Sequence, residues 1–191
     1  SANVEATQTS GKTTATLSTT VRPLPWLRLH ACAKAGALHA FEGETFLADR
    51  FFAGGASGAF PVRGFVAGSV GPHSGQTSVK TASKQSDDSD ALGGTRVLHT
   101  KAEVSVSPSF MRSDESHIGV EAFAFADGAA CGNDFALHTG HVASAGVGLG
   151  FRIGKQLRID LSHALWHHGA TDASRFSGPV QTGISLSLSP L

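Results

Sequence analysis

"LRLHACAKAGA", Leu27–Ala37, changes character at every step. Its odd positions (Leu27, Leu29, Ala31, Ala33, Ala35, Ala37) are apolar, and its even positions (Arg28, His30, Cys32, Lys34, Gly36) are polar or small. Successive side chains of a strand leave opposite faces, so this period of two predicts one apolar face and one wet face. The same pattern recurs downstream. Leu98, Thr100, Ala102, Val104 and Val106 oppose His99, Lys101, Glu103, Ser105 and Ser107, and Ile118, Val120, Ala122, Ala124 and Ala126 oppose His117, Gly119, Glu121 and Asp127. Ala145, Val147, Leu149, Phe151 and Ile153 oppose Gly146, Gly148, Gly150 and Arg152, while Leu157, Ile159 and Leu161 oppose Arg158, Asp160 and Ser162. Val180–Leu188 alternates with Gln181, Gly183, Ser185, Ser187 and Ser189, and a weaker segment covers Thr13–Val21, so seven strands are predicted.

Several of these runs approach the roughly nine to eleven residues that a tilted strand needs to cross a bilayer, against about five or six in globular sheets. Charge gathers on one side (Arg28, Lys34, Lys101, Glu103, Arg152, Arg158, Asp160) and the other is nearly charge-free, as a wet interior beneath a lipid-facing wall requires. A soluble antiparallel sandwich with one wet face per sheet fits the alternation equally well.

Composition narrows the classes. The chain has 191 residues, 40% hydrophobic and 16% charged, with zero formal net charge, so it lacks the Lys/Arg surplus on which nucleic-acid affinity rests. Cys32 and Cys131 do not make a disulfide framework. No run reaches the roughly eighteen apolar residues of a spanning helix, and the first residues do not read as a signal peptide. His167 and His168 are adjacent and face opposite ways in a strand, and His30, His39, His138, His141 and His163 show no ligand spacing, so no metal site is expected. The glycine-rich "GVGLG" (Gly146–Gly150) lacks the strand–loop–helix setting of a dinucleotide site and reads as a small-residue inner face.

The longest connection, residues 42–92, has two parts. "FFAGGASGAFPVRGF" (Phe51–Phe65) is rich in glycine and aromatic residues; "HSGQTSVKTASKQSDDSD" (His73–Asp90) is polar and reads as disordered. Connections of this length are usually functional or linkers.

The segment "DRFFAGGASGAFPVRGF", Asp49–Phe65, resembles the signature loop of the outer-membrane barrel-assembly superfamily, above all at Val62–Arg63–Gly64–Phe65. "KAEVSVSPSF" supplies Glu103 where the family carries a strand glutamate, and "AFADGAA" supplies Phe125, Asp127 and Gly128 for its aromatic–Asp–Gly motif. The likeness runs from about Trp26 to Ser189. It departs at the extra residues around Gly58–Pro61 and at Gly128, which follows Asp127 directly.

Physical logic supports the motif independently. An arginine taken into a barrel interior must find carboxylates, because an unpaired buried charge costs about 3–5 kcal/mol. Alternation puts Glu103 and Asp127 on the wet side of strands about 4.8 Å apart, within reach of one guanidinium fork. The resemblance implies that Arg63, Gly64 and Phe65 join Glu103 and Asp127 to fix the loop inside the lumen. The last strand, expected over 179–189, carries "QTGISLSL"; Gln181, Gly183, Leu186 and Leu188 resemble the sorting signal of mitochondrial outer-membrane barrels.

The fold expected is therefore all-β: the C-terminal portion, residues 1–191, of an antiparallel transmembrane β-barrel. Seven strands fall short of the roughly eight of the smallest barrels, so a larger barrel or a second chain is expected to complete it. The resemblance implies a core subunit of the mitochondrial outer-membrane sorting and assembly machinery, with no enzymatic activity, catalytic residue or cofactor. Its expected partners are the lipid bilayer, β-barrel precursor proteins and accessory subunits, not nucleic acid. Two other readings stand beside it: a polypeptide-translocating channel of the same superfamily, of chloroplast or bacterial type, and a soluble all-β binding module.

Overall fold

A computed structural model describes residues 2–6, 10–41, 45–73, 91–107, 118–133, 141–153, 157–169 and 182–188. Its strands are β1 (Ala2–Ala6), β2 (Ser10–Leu24), β3 (Leu27–Ala40), β4 (Arg96–Val106), β5 (Ile118–Gly132), β6 (His141–Ile153), β7 (Leu157–Gly169) and β8 (Thr182–Leu188). They form one eight-stranded sheet in chain order, each strand antiparallel to the one before. Among the described residues nothing pairs β1 with β8, so this sheet is open. All seven expected strands are present, and β1 is an addition at the N-terminal edge. The polar stretch read as disordered lies, from residue 74 to 90, outside the described residues, as do Val180, Gln181 and Ser189.

The two faces are segregated in the sense opposite to a soluble protein. Leu17, Leu29, Leu98, Val104, Leu149, Leu161 and Ile184 are exposed, while Glu103, Ser105, Asp127, Ser144, Asp160 and Ser162 are buried. An apolar surface this extensive exceeds what a soluble monomer tolerates and is what lipid requires. The apolar face lies outward on a single sheet rather than between two stacked sheets, which removes the sandwich reading. Strands β2–β7 run 11 to 15 residues, longer than the alternation alone marked.

β7 corrects the sequence reading most. The alternation marks this strand only over Leu157–Ser162, but the strand continues to Gly169. Ala145 pairs with Trp166 and Gly146 with Ala164, leaving Leu165 as an extra residue. Such a bulge inverts the phase of alternation, so outward positions pass from odd to even and the period of two is lost. His167 and His168 do face opposite ways: His167 meets the Phe65 ring edge-on at 6.1 Å, whereas His168 stacks on Trp166 at 6.2 Å.

The polar face is occupied by the β3–β4 connection. Its described parts, 45–73 and 91–95, make short bridges to themselves (Phe51 with Gly94, Ala53 with Val70, Gly55 with Val62). They seat Phe51, Phe60, Val62 and Val70 against Leu38, Val97, Cys131 and Val142 of the sheet. These four sheet residues make the wet face apolar at the end where the connection is rooted, and burial of this cluster holds the loop there. The sheet curves around it. Arg158 of β7 bonds Glu103 of β4 at 2.9 Å although two strands lie between, about 14 Å apart in a flat sheet.

Candidate functional site

The site forms where Val62–Phe65 crosses the inner face of β4, β5 and β7. Gly55 N–H donates to the Phe65 carbonyl at 3.0 Å and Phe65 N–H to the Val62 carbonyl at 3.4 Å, closing a tight turn at Arg63–Gly64. Gly64 has φ of 88°, and a Cβ there would stand 2.7 Å from the Ala164 Cβ, so conformation and space both call for glycine.

The turn aims Arg63 at the wall, where it is 4% exposed. Its Nε donates to Asp127 Oδ2 and its Nη2 to Asp127 Oδ1, each at 2.7 Å, a bidentate pair. Its Nη1 donates to Glu103 Oε2 at 3.2 Å, and its guanidinium lies 3.8 Å from the centre of the Phe125 ring. The structure thus brings Arg63, Glu103 and Asp127 together. Phe65 is buried beside them and packs on β7 through His167.

The charges extend further along the wall. Glu103 also meets Lys101 at 3.1 Å, Arg158 at 2.9 Å and Arg28 at 3.5 Å. Glu121 holds Arg152 at 2.6 Å and Arg28 at 2.8 Å, and Arg158 closes on Asp160 at 2.7 Å. Five cations (Arg28, Arg63, Lys101, Arg152, Arg158) therefore share four acids (Glu103, Glu121, Asp127, Asp160) in one connected network.

Phe123 and Phe125 share this wet face, which alternation of charge and small residues did not mark. The glycines of β6 make room for them: a Cβ at Gly148 would be 2.3 Å from the Phe123 ring, and one at Gly146 would be 2.8 Å from the Phe125 ring. Pairing of Phe125 with Gly146 and Phe123 with Gly148 was the available signal, since two aromatics at odd positions of β5 face a Gly-x-Gly. His99 was also missed as a loop contact; its Nε2 lies 2.7 Å from the Pro61 carbonyl oxygen.

The terminal-strand residues lie apart from this cluster. Gly183 and Leu186 sit on β8, Leu186 outward and exposed, and Leu188 is the last described residue of that strand; Gln181 lies outside the described residues. The loop does reach β8: a Cβ at Gly183 would stand 2.7 Å from the Ala56 Cβ. Both cysteines are free, and among the described residues no group of His, Cys, Asp and Glu is placed to hold a metal. The arrangement offers non-covalent fastening, a loop pinned to a wall by charge-assisted hydrogen bonds.

A family profile described as the Omp85 superfamily domain matches residues 3–185. No match was found among curated proteins.

Proposed function

The chain belongs to the Omp85 superfamily of outer-membrane β-barrel proteins with roles in barrel assembly or translocation, and on that premise we propose that it is wall and plug loop of a mitochondrial sorting-and-assembly core. In this reading it is a non-enzymatic insertase that folds β-barrel precursors into the outer membrane with accessory subunits. Arg63, Gly64 and Phe65 form a lock that keeps the loop in the lumen, closed by Asp127 and Glu103. The last strand, with Gly183, Leu186 and Leu188, lies at a seam where a client strand pairs by edge addition; glycine within a strand weakens it there.

The burial of Arg63 between loop and wall, with both acids around one guanidinium, carries the reading. It is tested by replacing the resident protein with Arg63→Ala in its own membrane and following the steady-state level of other outer-membrane β-barrels. The reading expects those barrels to fall, with Lys80→Ala close to the parent. Unchanged barrels with impaired polypeptide import would instead favour a translocating channel, and equal mild effects of both variants would remove the lock.

A further inference from the structure

We propose that His99 is a second wall anchor of the loop, that it holds the loop only as a neutral imidazole, and that its protonation loosens the loop. The inference rests on the loop-lock reading above and deepens it.

His99 lies on the inner face of β4 and is 1% exposed. Its Nε2 is 2.7 Å from the Pro61 carbonyl oxygen, and the Phe60 ring meets the imidazole edge-on at 6.4 Å. A carbonyl only accepts, so Nε2 carries the hydrogen and fixes the tautomer. Nδ1 then presents a lone pair, and it has no hydrogen-bond partner among the described residues. A proton on Nδ1 would create a buried N–H without an acceptor, on a ring that has become a cation.

The charges around the ring do not offset that cost. Lys34 stands directly across on β3, and Lys101 follows on the same face of β4. Asp127 on β5 is an acid that acts on the ring, but Arg63 from the loop already occupies both its oxygens. Pro61 is two residues from Arg63, so release at His99 disturbs the approach of the guanidinium itself. Histidine changes charge within the physiological range, which makes this anchor responsive to pH.

The native Cys131 reports on the loop. It is fully buried, its Sγ donates to the Phe51 carbonyl at 3.4 Å, and Gly71 of the loop covers it. In a Cys32→Ser background, the full chain in lipid vesicles is treated with 4,4′-dithiodipyridine, a thiol reagent that still reacts in acid. Rates are normalised to denatured protein at the same pH. Cys131 in this background should be protected at about pH 8 and should react about tenfold faster at about pH 5. His99→Gln, which keeps an N–H donor but does not titrate, should show the same rate at both pH values. His99→Phe, which has no donor, should react fast at both. A pH-independent rate in the parent background, or a His99→Gln variant with the parent's pH response, would overturn the proposal. Barrel assembly measured with His99→Phe separates the two readings: fast labelling with normal assembly would count against the functional role of the lock and leave the anchor standing.

Discussion

Asp127 receives Arg63 three times, from the backbone N–H at 3.2 Å and from Nε and Nη2 at 2.7 Å each. One carboxylate therefore fixes both the path of the turn and the direction of its side chain. A charge alone does not reproduce this, because the backbone bond forms only when the turn is already in place.

Arg63→Ala should destabilise loop docking by about 3–5 kcal/mol, since it strands Asp127 in a buried setting. Arg63→Lys should recover less than half of that loss. Lysine restores the charge but not the planar fork, nor the guanidinium lying over Phe125. Urea unfolding in bilayers, followed through Cys131 labelling, reads both variants; full rescue by lysine would show that charge suffices.

Glu103→Gln should cost more than Asp127→Asn, by at least about 1 kcal/mol. Asp127 serves one arginine, whereas Glu103 stands within 3.5 Å of Arg28, Arg63, Lys101 and Arg158. Neutralising it takes one carboxylate from all four, although Arg28, Arg63 and Arg158 keep Glu121, Asp127 and Asp160. Lys101 is partly open to solvent, so added salt should soften the defect of Glu103→Gln more than that of Asp127→Asn. Denaturation midpoints at low and high salt check both statements.

Gly148→Ala should destabilise the wall by about 1–3 kcal/mol through overpacking, because the methyl would meet the Phe123 ring at 2.3 Å and the Leu161 carbonyl at 2.5 Å. Gly119→Ala is the matched control, with only the Arg152 Cβ at 3.8 Å. A strand normally gains from Gly→Ala, so the control should be neutral or slightly stabilising. Equal behaviour of the two variants would mean that Phe123 does not occupy the groove above β6.

The strand set and its two faces were legible because lipid on one side and charge on the other leave a strict period of two, as Leu29 beside Arg28 shows. Arg63, Glu103 and Asp127 were picked out by their resemblance to the family's motifs, and the need of a buried arginine for carboxylates agreed with it. The full length of β7 was not legible, because the bulge at Leu165 shifts the phase of the alternation that marks Leu157–Ser162. The C-terminal part of β5, "GAACG", was silent because small residues give neither face any contrast. Phe123 and Phe125 were hidden because two aromatics break the run of charged and small residues that marks the wet face, and their place is set by the glycines across from them. His99 was visible only as one more polar position, and its contact depends on where Pro61 arrives, which no local pattern encodes.

Gly183→Ala should either lift the loop or weaken the hold of β8, because its methyl would meet the Ala56 Cβ at 2.7 Å and the Ser162 Oγ at 3.3 Å. The cost expected is about 1–3 kcal/mol, against a small gain in strand propensity. Ala56→Gly removes the opposing methyl, so the double variant should return to within about 0.5 kcal/mol of the parent if the contact is what matters. Ser162 also donates to the Gly183 carbonyl at 3.3 Å, so a methyl that displaced β8 would free that hydroxyl and expose the strand to protease. Stability and limited proteolysis across the four proteins of the cycle distinguish the cases. Coupling between positions 56 and 183 would mean that the loop and the terminal strand move as one, and that undocking at Arg63 is felt at the edge of the sheet. Additive effects would mean that the two are independent and that the loop acts on the wall alone.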